Sequence, residues 1–278
     1  MPAKRLKDLL LEKGLREAEL KLVVRAFDIV GDIAIVKIRR ELWDKRRIIA
    51  EALMEFHRFR SVVAVRGQTE ELFRTRGFEV LAGDEDLETV HKEHGCVFKV
   101  DLRRVFFSPR LSYERQRVAK KVRRHETVVN MFAGVGCFSI AIARAQPSAH
   151  IFSIDINPYA YKYMCENVLL NKTDNVIPLL GDAAILMPLF RGMADRVLMP
   201  LPERASAFLR LAADALRGHG VIHYYTVSSA DSSDVFEKPL REVEEILSDR
   251  KIKIENKRVV RSVAPRKYHV VLDLHVTK

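Results

Sequence analysis

No apolar run in the 278 residues reaches the roughly 18 needed to span a bilayer. The opening stretch, MPAKRLKDLLLEKG, is charged throughout and lacks the apolar core of a signal peptide. A cytoplasmic protein with no membrane association is therefore expected. Cysteine occurs only three times, at Cys96, Cys137 and Cys165, never in CxxC spacing. That excludes a disulfide framework or a zinc knuckle and leaves small buried hydrophobes as the reading. Nothing in the sequence demands a metal site, so no metal is expected. Internal repeats and low-complexity linkers are also missing.

Acids are outnumbered. Lysine and arginine total 48 against 37 aspartate and glutamate, a formal charge of +11 with a pI near 9.6. The excess favours a polyanionic partner. It is concentrated in KIRRELWDKRR (37–47), RQRVAKKVRR (115–124) and KRVVRSVAPRK (257–267). These stretches suit phosphate contacts, which fix position without choosing a base.

The hydrophobic rhythm changes near residue 111. Before it, helical spacing covers 6–25 and 42–59. Strands are expected around a Gly31-Asp32 turn in 27–38 and at 61–67, 78–83, 96–102 and 104–108. After it, strands at 126–132, 150–155, 175–181, 194–199 and 219–227 alternate with helices at 136–145, 158–170, 204–217 and 234–249. Segments 252–264 and 268–276 read as a closing hairpin. The alternation implies a parallel sheet covered on both faces, with an antiparallel strand from the hairpin at its edge. The organisation expected is a small α+β domain over 1–95 and an α/β domain over 96–278.

In NMFAGVGCFS, Gly134 and Gly136 follow a buried strand and open a helix, where a backbone without Cβ can approach a ligand. The next strand ends about twenty residues on at Asp155, an acid placed to accept ribose hydroxyls. The third is followed by Gly181-Asp182-Ala183, where a side chain and an adjacent N–H suit the edge of an adenine. The third glycine of GxGxxG is absent, because position 139 is Ser. That disfavours a dinucleotide and favours a nucleoside with an uncharged or cationic tail. Phe132, Met199, His223, Tyr224 and Tyr225 read first as core.

The segments FAGVG, IDINPYA, GDA, GVIHYYT, SVAPRKYHVVLDL and VFFSPRLSYER together resemble a known group. They are similar to class I (Rossmann-like) S-adenosylmethionine-dependent enzymes, and more narrowly to the archaeal and eukaryotic tRNA guanine N1-methyltransferases. The resemblance covers 96–278 strongly and 27–95 weakly. It implies S-adenosylmethionine as cofactor, held by Ser108, Arg115, Phe132, Gly134, Asp155, Asp182 and Ala183. It implies tRNA as partner, and a monomer. Arg110, carried over from FSPR, takes a base-binding or catalytic role or contacts phosphate. Pro200 and Pro202 fall in the catalytic loop after the fourth strand. There the methyltransferases carry Asn-Leu-Pro or Asn-Pro-Pro, whereas this chain has Pro200 at the Asn position, with neither amide nor backbone N–H. The N-terminal part is also short for that group. Both departures point to the sister branch, the wybutosine-synthesis aminocarboxypropyl transferases. That resemblance implies transfer of the 3-amino-3-carboxypropyl arm to the tricyclic base at position 37 of tRNA(Phe), with methylthioadenosine released. Ser108 and Arg115 would hold the methionine carboxylate. The alternatives are the guanine methyltransferase itself and an inactive RNA-binding protein that keeps the fold. No acceptor for the proton leaving the base is assigned; Glu203 reads as an exposed loop residue.

Overall fold

The structure is a computed structural model that describes residues 5–24, 26–67, 73–229 and 234–278. The chain forms two compact units, Met1–Ser112 and Tyr113–Lys278.

In the first unit, α1 (Leu6–Glu12) is followed by a 3₁₀ turn (Glu19–Leu22). The single helix expected over 6–25 is thus broken. Gly14 at φ +104° ends α1, a conformation glycine adopts without a steric cost; residue 25 lies outside the described residues. β1 (Asp28–Val30) and β2 (Ile33–Val36) pair as a hairpin about Gly31, at φ +57°. α2 (Arg46–His57) stops where Arg58 turns left-handed. It covers a four-stranded sheet completed by β3 (Ser61–Arg66) and β4 (Gly77–Gly83).

β5 (Glu88–Glu93) and β6 (Cys96–Asp101) form a separate hairpin turning at His94-Gly95, both at positive φ. Its members hold it to the first unit: Thr89 Oγ1 donates to Asp32 Oδ1 (2.7 Å), and His91 Nδ1 accepts from the Gly31 N–H (3.2 Å). The compact units therefore divide after Ser112, whereas the sequence placed a boundary at residue 95. The strand expected at 104–108 does not form. Asp101 folds the chain into a turn instead, accepting the Arg103 N–H on Oδ1 (2.9 Å) and the Val105 N–H on its carbonyl (3.0 Å). Val105 and Phe107 are buried without strand pairing, Phe107 against the rings of His91 and Phe98.

The second unit opens with α3 (Ser112–Ala119) and then alternates. Its elements are β7 (Thr127–Asn130), α4 (Cys137–Ala145), β8 (His150–Asp155), α5 (Pro158–Asn171), β9 (Val176–Leu180), the short α6 (Ala183–Leu186), β10 (Ala194–Met199), α7 (Ser206–Ala215), β11 (Leu216–Ser229), α8 (Glu237–Ile246), β12 (Lys251–Ala264) and β13 (Lys267–Thr277). The seven strands lie in the order β12-β13-β11-β10-β7-β8-β9. β9, β8, β7, β10 and β11 are parallel, and β13 runs antiparallel between β11 and β12. The order reverses beside β7, the switch point where open α/β sheets bind ligands. The core expectation holds: Met199, His223 and Tyr224 are fully buried and Tyr225 nearly so. Cys96 and Cys137 are buried and Cys165 is half-buried, and none of the three is in a disulfide. Among the described residues no helix is long and apolar enough to cross a membrane.

A buried ionic network fastens α3 to the sheet. Arg117 donates to both oxygens of Glu114 (2.6 and 3.0 Å) and to Asp273 on β13 (2.5 and 3.1 Å). Tyr225 donates to Glu114 (2.8 Å), and Lys121 to Asp273 (2.6 Å). Arg196 can only donate, so His223 Nε2 accepts from it (2.9 Å) and His223 Nδ1–H goes to Asp273 (2.6 Å). Burial alone would push the Asp273 carboxyl up; the donors from His223, Arg117 and Lys121 outweigh it and hold the group well below the usual carboxylate range. Burial pushes His223 down and keeps it neutral, against the pull of Asp273. Much of the basic stretch 115–124 is thereby turned inward: Arg115 is buried, while Arg117 and Lys121 are spent on Asp273.

Asp273→Ala leaves Arg117 and Lys121 short of their carboxylate, and urea unfolding should show a loss of about 3–5 kcal/mol. The pH dependence has one sign. His223 and Asp273 both have folded pKa values below their unfolded ones, so the unfolded chain takes up protons first as pH falls. Stability should decline below about pH 6.5 through His223 and again below about pH 4 through Asp273. Unfolding midpoints at pH 7.5, 5.5 and 3.5 check this; a flat profile would contradict it.

Candidate cofactor site

β7 delivers the chain at Asn130 into the turn Met131–Gly136. The Met131 N–H donates to the Leu198 carbonyl on β10 (3.0 Å), and the Ala133 N–H to the Ile154 carbonyl on β8 (2.8 Å). The turn is thus tied to both neighbouring strands. Gly136 has φ +88°, and a Cβ there would sit 3.0 Å from Met164 Cγ and 3.3 Å from Ile140 Cδ1. That glycine serves the close approach of α4 to α5. Gly134, at φ +57°, differs: a Cβ would meet nothing within 4 Å. Its backbone borders open space. Beneath the turn, Asn130 Nδ2 and Ser153 Oγ both donate to Ser139 Oγ (3.0 and 2.7 Å), all three fully buried. Ser139, read from the sequence as a missing glycine, is a polar tie between β7, α4 and β8.

Asp155 closes β8. Its Oδ2 accepts the Gly134 N–H (2.6 Å), its Oδ1 the Asn157 N–H (2.9 Å), and its carbonyl the Gly181 N–H (3.0 Å). Burial pushes its carboxyl pKa up, and the two N–H donors oppose that. Helix capping falls to Asn157, whose Oδ1 accepts from Tyr159 (2.9 Å). Asp155 is therefore left facing the turn. Asp182 caps α6 through the Ala184 N–H (2.8 Å), with Ala183 buried beside it. Phe132, in the turn itself, is half-buried and edge-on to Phe208 at 5.0 Å.

The structure thus joins Gly134, Asp155 and Gly181-Asp182-Ala183 at one edge of the sheet. Pro200 and buried Pro202 follow β10 at that same edge. Ser108 and Arg110 belong to the first unit. Ser108 is buried at the start of a 3₁₀ turn, and Arg110 is exposed and ion-paired to Asp28 (2.6 Å). Arg115, on α3, belongs to the second unit. Two features escaped the sequence reading. Ile156, 38% exposed directly after Asp155, offers an apolar face beside the acid. Glu203, exposed as expected, faces buried His269 at 3.4 Å.

A carboxylate with a lone pair left on each oxygen, an open glycine backbone and an apolar neighbour suit a nucleoside: diol to acid, base to Ile156. The fold is that of class I S-adenosylmethionine-dependent methyltransferases. A family model described as the TRM5/TYW2 methyltransferase domain matches residues 89–255, and one described as the TYW2 N-terminal domain matches 6–86. The chain belongs to the TRM5/TYW2 methyltransferase family. It is 40% identical to the tRNA (guanine(37)-N(1))-methyltransferase Trm5b of Pyrococcus abyssi, over 91% of this chain and 75% of that one. It is 39% identical to the tRNA 4-demethylwyosine(37)-methyltransferase Taw21 of Saccharolobus solfataricus, over 90% and 93%. With the tRNA(Phe) (4-demethylwyosine(37)-C(7)) aminocarboxypropyltransferase of Methanocaldococcus jannaschii it shares 33%, over 88% and 95%. The solved structure of Pyrococcus horikoshii TYW2 in complex with MeSAdo superposes with a TM-score of 0.84 at 30% identity, covering 99% of this chain and 98% of that one.

Gly136→Ala should cost about 1–3 kcal/mol, from the positive φ and the crowding against Met164. Thermal unfolding checks this; an unchanged midpoint would mean that α4 and α5 separate freely.

Proposed function

We propose that this S-adenosylmethionine-dependent tRNA-modifying enzyme acts on 4-demethylwyosine at position 37 of tRNA(Phe), and that the group moved is the 3-amino-3-carboxypropyl arm. Pro200 carries the reading. It stands at the end of β10, where an asparagine amide would hold a guanine edge, and it has no donor to offer. Relatives named for 4-demethylwyosine match this chain over nearly their whole length.

The cofactor, when bound, supplies a sulfonium carbon that is open to displacement without a metal or a covalent enzyme intermediate. The chain's own residues orient it. Asp155 accepts the ribose hydroxyls, Ala183 N–H and Asp182 take the edge of the adenine, and Phe132, within the turn, completes the cofactor contacts. Arg115 supplies a guanidinium for the methionine carboxylate, which is suited to two parallel hydrogen bonds. Pro202 keeps its proposed role beside the base. Rate enhancement in this scheme rests on alignment, which is worth several orders of magnitude when the reacting atoms are held near contact distance.

A second reading keeps the base and changes the carbon: methyl transfer to 4-demethylwyosine. The 39% identity to Taw21, over 93% of that protein, favours it. Cofactor labelled separately in the methyl group and in the carboxypropyl arm decides. Arm label in tRNA with methylthioadenosine supports the first reading, whereas methyl label with S-adenosylhomocysteine replaces it. Label entering unmodified guanine at position 37 would overturn the choice of base. Asp155→Ala should weaken cofactor binding by about 1.5–3 kcal/mol in titration calorimetry. Unchanged affinity in the folded variant would remove the ribose assignment.

A further inference from the structure

The parallel strands have a second end. At their N-terminal edge, opposite Asp155, lies a recess of about 490 Å³. It is bordered by the segment before β7 and the starts of β10 and β11. A six-residue strand is about 20 Å long, so the recess is about that far from the cofactor turn.

Its charges are unevenly committed. Glu126 is fully engaged by Arg196, whose Nε donates to Oε2 (2.7 Å) and whose second guanidinium nitrogen donates to Oε1 (3.0 Å). Asp195 accepts the Thr127 N–H (2.8 Å). Arg123 and Arg124 are exposed and make no ion pair with any described residue. Arg217 joins them on the rim, with one guanidinium nitrogen donating to the Met193 carbonyl (3.0 Å). Glu255 and Asp195 are the lining carboxylates that no described cation neutralises, and three guanidiniums outweigh the two. His219 and His275 line the same wall, with rings stacked at 6.1 Å and 30°.

We propose that this recess is a phosphate-binding site for a chain of linked phosphates, distinct from the cofactor site. Several guanidiniums around one cavity suit successive phosphates, each able to accept a forked pair of hydrogen bonds. The volume exceeds what a single small anion fills. The flat histidine pair adds a surface on which a base or sugar can rest. Two sources present this chemistry: the ribose-phosphate backbone of RNA and free oligophosphate.

The test uses the full chain and the double variant Arg123→Glu/Arg124→Glu. Both side chains are exposed and unpaired, and neither belongs to the cofactor site, so S-adenosylmethionine affinity should match the parent and report a folded protein. Tripolyphosphate binding is read by calorimetry and tRNA binding by anisotropy across a salt series. A fall of about tenfold in tRNA affinity, with the log–log salt slope flattened by up to about 0.9 per lost contact, assigns the site to RNA backbone. Tripolyphosphate binding that disappears in the variant while tRNA affinity stays at the parent value assigns it to free oligophosphate. If the variant matches the parent towards both probes, the proposal is overturned.

Discussion

One aspartate determines the geometry of the cofactor edge. Asp155 accepts the N–H of Gly134 and of Asn157 on its carboxylate, and that of Gly181 on its carbonyl. Three strand-to-helix connections are thereby referred to a single residue. A turn that was merely glycine-rich would sample many shapes; this one is held from β8, with Ala133 tied to Ile154 as well. The acid does not arrive at the site and wait for a ligand. It forms part of the wall, and the same two oxygens that fix the wall face the space beside Gly134.

The opposite strategy appears around Asp273. That carboxylate has no exposure and is neutralised by Arg117 on α3 and Lys121 just after it, so charge is used there to fix an element in place. A buried pair contributes little net stability over an apolar substitute of equal shape, but its loss on one side is costly. It therefore specifies where α3 sits. The excess of positive charge in the sequence thus divides in two. Arg117, Lys121 and Arg196 are structural, while Arg123, Arg124 and Arg217 remain at the surface.

The strands of the second unit were legible because parallel strands buried on both faces read as continuous apolar runs. The glycine turn, Asp155 and the GDA segment were legible because each sits where a strand ends. Other features left no local trace. β5, ETVHKE, has a single apolar residue and no strand is read there; it becomes half of a hairpin only by pairing with β6 about His94-Gly95. The 104–108 segment has a strand's composition, yet Asp101 turns the chain first. Asp273 lies in VVLDLHV, where alternation suggests a wet face; its partner Arg117 is 156 positions away. No window of sequence contains that pair.

The insertion of β13 between β11 and β12 bears on the order of assembly. β12 is made before β13 but touches the sheet only through it. Its native edge does not exist until the later strand has docked on β11 and brought Asp273 to Arg117. The β12 lysines at 251, 253 and 257 discourage it from pairing elsewhere meanwhile. Closure of the sheet and burial of the ionic network are the same event. A nascent chain halted before β13 would hold a complete glycine turn on a sheet with an open edge.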